Sequence, residues 1–274
     1  MELLQQPKRA ERPVCAQRRP WKGRLNAWRK RSPLNPYWIE LRELHEAAKL
    51  LATHAAGRML DIGCGERPYD DLFLPRVTRY IGLEYPPVAD NLNPEIWGKL
   101  HTIRHIVDVF GDGMKLPFAD ARFDSVLALE MLEHVSHSDA CVGEVARVLK
   151  PGGVFLLTVP FVAPLHQWPF DYLRFTPKGI EALLERHGLR IETLEPRGNF
   201  ASATGATVSH WLLRALGASG VNHDGSVTLS RWRAPFVLPL IALVQLFFSA
   251  AASFSNDKGS CLGYAVIARK RQQP

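Results

Sequence analysis

At 274 residues, with 46% hydrophobic and 22% charged residues, the chain has a globular composition and enough length for one sizeable core with appendages. Its formal net charge of +7 sits at one end: residues 1–33 hold ten Lys and Arg against Glu2 and Glu11, a net of +8, which leaves −1 for the rest. The four cysteines (Cys15, Cys64, Cys141, Cys261) lack paired spacing, which argues against a disulfide framework or a zinc knuckle and fits a reducing compartment.

The basic arm, residues 1–33, has prolines, few aliphatics and no helical period, and reads as unstructured in isolation. It is either a solvated tail or a segment drawn to anionic lipid or nucleic acid, and Trp21 and Trp28 favour a membrane interface. No apolar run follows that would make it a secretory signal. Asn35-Pro36 is expected to open the first helix as N-cap and first helical residue, with an apolar stripe from Tyr37 to Ala52 and Gly57 as its end. Strands are expected at Arg58–Ile62, Tyr80–Leu83, His105–Val109, Phe123–Leu129, Val154–Val159, Leu189–Leu194 and Gly263–Ala268. Helices are expected between them, notably at Ser138–Leu149 and Pro177–His187. Strand alternating with helix predicts an α/β fold with a doubly wound, mostly parallel sheet. The core would span 34–199, an apolar helical insertion 200–258, and the last strand with a basic tail 259–274.

The first strand runs into Asp61 and the turn Gly63-Cys64-Gly65, where glycines let the backbone bend tightly and approach a ligand. A dinucleotide fingerprint needs a third glycine three residues on, and Pro68 stands there. A carboxylate beside such a turn would repel a pyrophosphate but attract a cofactor bearing ammonium and sulfonium groups. Further acids follow at strand ends. Glu84 is placed to accept from ribose hydroxyls and Asp112 from an adenine amine, with Met114 covering the ring.

These residues bring the chain into resemblance with a known family. LDIGCG, GLE, GDGMKLPFADARFD, LEHV and RVLKPGG occur in order and at family-like spacing, so that Asn35 to Leu194 plus the last strand resembles the class I S-adenosylmethionine-dependent methyltransferases of the type 11 methyltransferase-domain group. The resemblance implies a Rossmann-like, seven-stranded sheet whose last strand runs antiparallel, and S-adenosyl-L-methionine as cofactor. It implies cofactor contacts by Asp61, Gly63, Cys64, Gly65, Glu84, Asp112, Gly113 and Met114, with Glu130 and Met131 lining the methionine end.

The acceptor should meet the loop after the fifth strand, VPFVAPLHQWPFDYLRFTPKGI, which is similar to a run in relatives associated with sugar-polymer and glycolipid synthesis; ERPYDDLF also resembles that subset. A hydroxyl acceptor must lose a proton as its bond to carbon forms. His166 is the first choice of base, with Asp171 orienting it, and His134 the second. The competing reading makes Asp171 and Arg174 a salt bridge that braces the loop. The His101/His105 and His134/His137 pairs lack further ligands at metal-binding spacing, so no metal is expected.

Ala234–Asn256 is 23 residues without a charge, long enough at ~1.5 Å per residue to cross a bilayer core. A last strand beyond it must return to the sheet, so a helix lying in the interface is favoured over a single span, with a lid or dimer contact as the rival. The sequence thus predicts methyl transfer to a hydroxyl of a saccharide or lipid-linked intermediate at the cytoplasmic face of a membrane, peripheral or monotopic. The alternatives are a soluble-metabolite methyltransferase and a non-catalytic cofactor-binding scaffold. A near-neutral body argues against nucleic acid, and the oligomeric state is left open.

Overall fold

The computed structural model describes residues 32–85, 107–221 and 227–272. The basic arm up to residue 31, the His101/His105 pair and the start of the strand expected at His105 lie outside them.

Among the described residues, nine strands and six α-helices follow in chain order. The strands are β1 (Arg58–Ile62), β2 (Arg79–Glu84), β3 (Val109–Phe110), β4 (Phe123–Leu129), β5 (Leu149–Pro160), β6 (Leu189–Arg197), β7 (Ala218–Val221), β8 (Val227–Leu229) and β9 (Gly263–Lys270). The helices are α1 (Trp38–Ala52), α2 (Asp70–Phe73), α3 (Ser138–Val148), α4 (Pro177–Arg186), α5 (Phe200–Leu212) and α6 (Ala234–Ala252). Seven strands form one sheet in the order β3-β2-β1-β4-β5-β9-β6, and β7 pairs with β8 in a separate hairpin. Every pairing from β3 to β5 is parallel, whereas β9 runs antiparallel to both neighbours. The expected α/β fold and seven-stranded sheet are therefore what the chain forms.

The sheet is buried on both faces because its strands are near-continuous apolar runs whose alternate residues enter different cores. Leu60, Ile62, Val126, Phe155 and Leu157 point to the side covered by α3 and α4. Met59, Leu127, Leu156 and Ile267 point to the side covered by α1 and α2. Register sets Asp61 beside Gly82 of β2 and Leu127 of β4, so the carboxyl ends of β1, β2 and β4 lie level on one edge.

Two boundaries differ from expectation for physical reasons. Asn35 does not cap α1: its Oδ1 accepts from the Tyr37 amide in a turn, and the helix begins at Trp38. The free amide of Ile39 is met instead by Oε1 of Gln245, a buried residue of α6, whose Nε2 donates to the Pro33 and Asn35 carbonyls. The third strand is two residues, Val109–Phe110, later than expected, and Asp112 follows it across Gly111 rather than ending it. The insertion also contains the β7–β8 hairpin, which the helical expectation omitted.

α6 packs against α5 and α1 and buries Val237, Ile241, Ala242 and Gln245 along one side. Asn199 caps α5 by accepting from the Ser202 amide, and its Nδ2 donates to the Ala252 and Ser255 carbonyls at the far end of α6. The other side of α6 is exposed and apolar, with Phe236 at 79%, Leu243 at 66% and Phe247 at 67% exposure. It is the one helix among the described residues that is long and apolar enough to cross a membrane, yet it is docked on the body along one side.

Candidate active site

The glycine loop leaves β1 with Gly63 at φ 69° and Gly65 at φ 47°, conformations that side chains rarely adopt. A Cβ on Gly63 would also come within 2.5 Å of Met131 Cγ, so this glycine lets β1 and the segment after β4 close together. No protein atom lies within 4 Å of where a Gly65 Cβ would point, which leaves that backbone open to a ligand. The Gly63 and Cys64 amides both donate to the Leu83 carbonyl, fastening the loop to β2. The Cys64 side chain is buried and its thiol is pushed far up by burial, so Cys64 contributes backbone rather than a reactive sulfur.

Asp61 is 5% exposed and accepts a hydrogen bond from the Tyr80 hydroxyl. Burial outweighs that bond and the nearby Arg67, and raises the Asp61 pKa to about 7. Arg67 lies over the Tyr80 ring and pairs with Asp108, so one guanidinium ties the glycine loop to β2 and to the approach to β3. Tyr80, Arg67 and Asp108 were missed by sequence reasoning. A tyrosine inside a buried strand was the available signal, since its hydroxyl needs a partner.

Glu84 ends β2, and its two oxygens accept from the Gly65 and Tyr85 amides. Burial nonetheless raises its pKa, against those two amides. Each carboxylate oxygen keeps a second lone pair for a ligand hydroxyl. Asp112 Oδ1 accepts from the Met114 amide, so the two residues expected at the adenine form one turn around Gly113.

After β4, Glu130 adopts φ 47°, held there by its amide donating to the backbone and the hydroxyl oxygen of Thr158. A left-handed glutamate is a local strain of the kind that collects at functional sites. Glu130 Oε2 pairs with Arg197 from the end of β6 at 2.9 Å, while its Oε1 is buried without a partner. Arg197, itself 6% exposed, is a further site residue that the sequence did not reveal.

The loop after β5 folds back over the short 3-10 turn Leu132–His134 through two bonds. The Tyr172 amide donates to the Glu133 carbonyl, and His134 Nδ1 donates to the Phe170 carbonyl at 2.7 Å. This brings His166 to His134, ring centroids 4.7 Å apart, edge to face. Burial lowers the His134 pKa, so the ring is neutral and its Nε2 carries a lone pair. The His166 side chain is 37% exposed, with Nδ1 3.1 Å from the Pro164 carbonyl.

Asp171 lies within ion-pair distance of the His166 ring, but its shorter bonds go elsewhere. Its carboxylate grips Arg174 with two bonds, at 2.5 and 2.8 Å, and accepts from the His166 backbone amide at 2.9 Å, whereas His166 Nδ1 is 3.4 Å away. Burial would raise the Asp171 pKa, but Arg174 and the His166 amide prevail and hold it at about 2. Asp171 thus braces the loop through Arg174 and places His166 through its backbone amide, with the ring at 3.4 Å.

Sheet order, glycine loop and the acids along one sheet edge define the class I S-adenosylmethionine-dependent methyltransferase fold. Residues 60–157 match the family model described as a methyltransferase domain. A Mycolicibacterium smegmatis protein named as a probable S-adenosylmethionine-dependent methyltransferase is 31% identical over 172 residues, 57% of this chain and 60% of that one. The fatty-acid O-methyltransferase of the same organism is 36% identical over 128 residues, 46% of this chain and 44% of that one. The crystal structure of the cyclase SpnF is 23% identical and covers 84% of this chain and 81% of its own, with a TM-score of 0.50, a likeness of fold alone. Residues 60–157 are accordingly an S-adenosylmethionine-dependent methyltransferase domain, with S-adenosyl-L-methionine as its cofactor. The chain spans about half the length of these curated relatives, between 44% and 60%.

The donor set fits that cofactor. Asp61 and Glu84 offer carboxylates at adjacent strand ends, Gly65 offers open backbone, and Glu130 aims an unpartnered buried oxygen from the neighbouring strand end.

Proposed function

We propose that the whole protein transfers the methyl group of S-adenosylmethionine to a hydroxyl of an acceptor with an apolar portion, a lipid-linked intermediate, at the cytoplasmic face of a membrane. One observation carries this reading: the folded-back loop sets His166 and His134 beside the segment that follows β4, on the same edge as the acids suited to the cofactor. The cofactor presents an electrophilic methyl, and the chain's own work is positioning and proton removal. His166 Nε2, on a ring anchored through Nδ1, takes the hydroxyl proton, with the neutral His134 ring against it.

An apolar acceptor is supported by the loop's exposed Leu165, Trp168 and Tyr172, and by the fatty-acid substrate in a relative's name. A saccharide hydroxyl rests only on the loop's sequence. The exposed face of α6 and the basic arm support the membrane location. The test is incubation with deuteromethyl-labelled cofactor and extracts split into lipid-linked and water-soluble fractions, read by mass spectrometry. Label in the lipid fraction supports the reading. Label only on a soluble metabolite overturns the acceptor class, and no label with the cofactor bound leaves a scaffold.

A further inference from the structure

We propose that Glu133, His134 and His166 form a binding site for one divalent transition-metal cation. The proposal departs from the sequence expectation of no metal and rests on the same histidine cluster as the proposed function. One ligand atom from each residue lies within 4.8 Å of the others, the only such trio with metal-binding chemistry among the described residues. Glu133 Oε1 is 3.6 Å from His134 Nε2. Ligands of one tetrahedral ion with bonds of ~2.1 Å sit ~3.4 Å apart, so the trio needs only a small inward movement of the half-exposed His166.

The independent observation is Glu133. Its side chain is fully buried, and neither carboxylate oxygen has a hydrogen-bond partner. Burial holds this carboxyl well above its usual range, so an ion bound there takes the place of its proton. The histidines are prepared in the way metal ligands are: each donates its Nδ1 proton to a backbone carbonyl, Phe170 for His134 and Pro164 for His166, which leaves Nε2 for an ion. His134 Nε2 is itself buried without a partner. Arg174 and Arg197 also act on the Glu133 carboxyl, but each is paired with another acid, Asp171 and Glu130, so the surrounding charges allow a cation.

Two imidazoles and one carboxylate suit Zn²⁺, Mn²⁺, Co²⁺ or Fe²⁺ better than Mg²⁺ or Ca²⁺, and leave coordination positions for an acceptor oxygen. The ion would act as a Lewis acid. The acceptor O–H bond breaks with its proton passing to water, the O–CH₃ bond forms, the S–CH₃ bond breaks, and S-adenosylhomocysteine leaves. With the ion bound the two histidines serve the hydroxyl through it, and in the metal-free protein His166 keeps the role of base given above.

The test uses the full chain, stripped with chelator and titrated with Co²⁺ and Zn²⁺. Bound metal is read by elemental analysis and by the visible Co²⁺ spectrum, and cofactor affinity by calorimetry. Expected is about one equivalent of metal per chain, a site lost at least tenfold in affinity in His166→Ala and Glu133→Gln, and unchanged cofactor affinity in His166→Ala. Should Glu133→Gln fail to fold, the solvent-facing His166→Ala decides alone. Substoichiometric binding in the parent, or undiminished binding in His166→Ala, overturns the site. Full turnover after chelation overturns its part in the reaction and leaves the methyltransferase reading standing. That reading fails separately, if the parent does not bind the cofactor.

Discussion

Asp61 is placed where a cationic cofactor benefits from a negative charge and where burial opposes one. With its pKa raised to about 7, it is largely protonated at pH 6 and largely ionised at pH 8. Cofactor affinity should therefore rise from pH 6 to pH 8, with proton release on binding at the lower pH, and Asp61→Asn should be weaker and flat across the range. Calorimetry in buffers of different ionisation enthalpy measures both. The stability effect has the opposite sign. A folded pKa raised above the ordinary ~3.9 stabilises fully below that value, and the gain is lost as pH rises through 7. Unliganded Asp61→Asn should consequently melt higher than the parent at pH 8. Tyr80, Arg67, Glu84 and Asp70 face the same carboxylate, and only the difference between parent and variant isolates it. Glu84→Ala and Asp112→Ala should each weaken the cofactor by about 1.5–3 kcal/mol, the worth of hydrogen bonds to charged groups. Native affinity in both would remove the assignment of these two acids. His166→Ala should keep the cofactor and lose turnover by ~10²–10⁴-fold if its ring removes the proton. Undiminished turnover would pass that role to His134 or to no side chain.

At the scale of elements, Gln245 joins two helices remote in sequence by meeting the Ile39 amide and the Pro33 and Asn35 carbonyls. Gln245→Leu keeps the shape and strands the buried Ile39 amide and the part-buried Pro33 carbonyl, at about 1–3 kcal/mol for each left unsatisfied, while the Asn35 carbonyl keeps the Trp38 amide. The variant should melt several degrees lower with cofactor affinity intact. An unchanged melting temperature would mean that water replaces the amide. The same contact explains why α1 was misjudged. A helix start is legible when its cap is local, as at Thr176, which accepts from the Gly179 amide with Pro177 next in chain. At α1 the acceptor arrives from 206 positions away, and Asn35 turns to its own neighbour. Strands β1 and β4 were legible to the residue because both faces are buried and their apolar runs are sharply bounded. β3 was not, with only two paired residues. The cofactor acids were legible because their order along the chain repeats the order of strand ends. The Glu133–His134–His166 cluster was not, because a loop folding back over a turn leaves no periodic mark in the sequence.

The whole molecule presents a near-neutral body with a basic arm and one exposed apolar helix face. Basic residues close to an anionic leaflet contribute about 1 kcal/mol each and are screened by salt, whereas buried apolar area is not. A graded response on anionic vesicles follows. The parent should resist high salt and need detergent for release. Phe236, Leu243 and Phe247 changed together to Ser should convert it to a salt-sensitive binder, since these side chains face away from α5 and α1. Removing residues 1–31 should weaken binding without abolishing it. A parent that ignores such vesicles would make the α6 face a contact for protein, and the acceptor need not be lipid-linked.

β6 touches the sheet only through β9, which reaches its place between β5 and β6 after the whole excursion through α5 and α6. Assembly therefore has a late keystone. Until residues 263–270 arrive, β5 and β6 each offer an unpaired backbone edge, and edges of that kind recruit other chains. A ribosome releasing this protein from its N-terminus exposes those edges throughout the synthesis of the insertion, and cofactor binding at β1 and β2 does nothing to cover them. A chain truncated between the end of β6 and Gly263 would make that transient condition permanent, so such fragments are expected in the aggregated fraction even though every residue of the glycine loop remains.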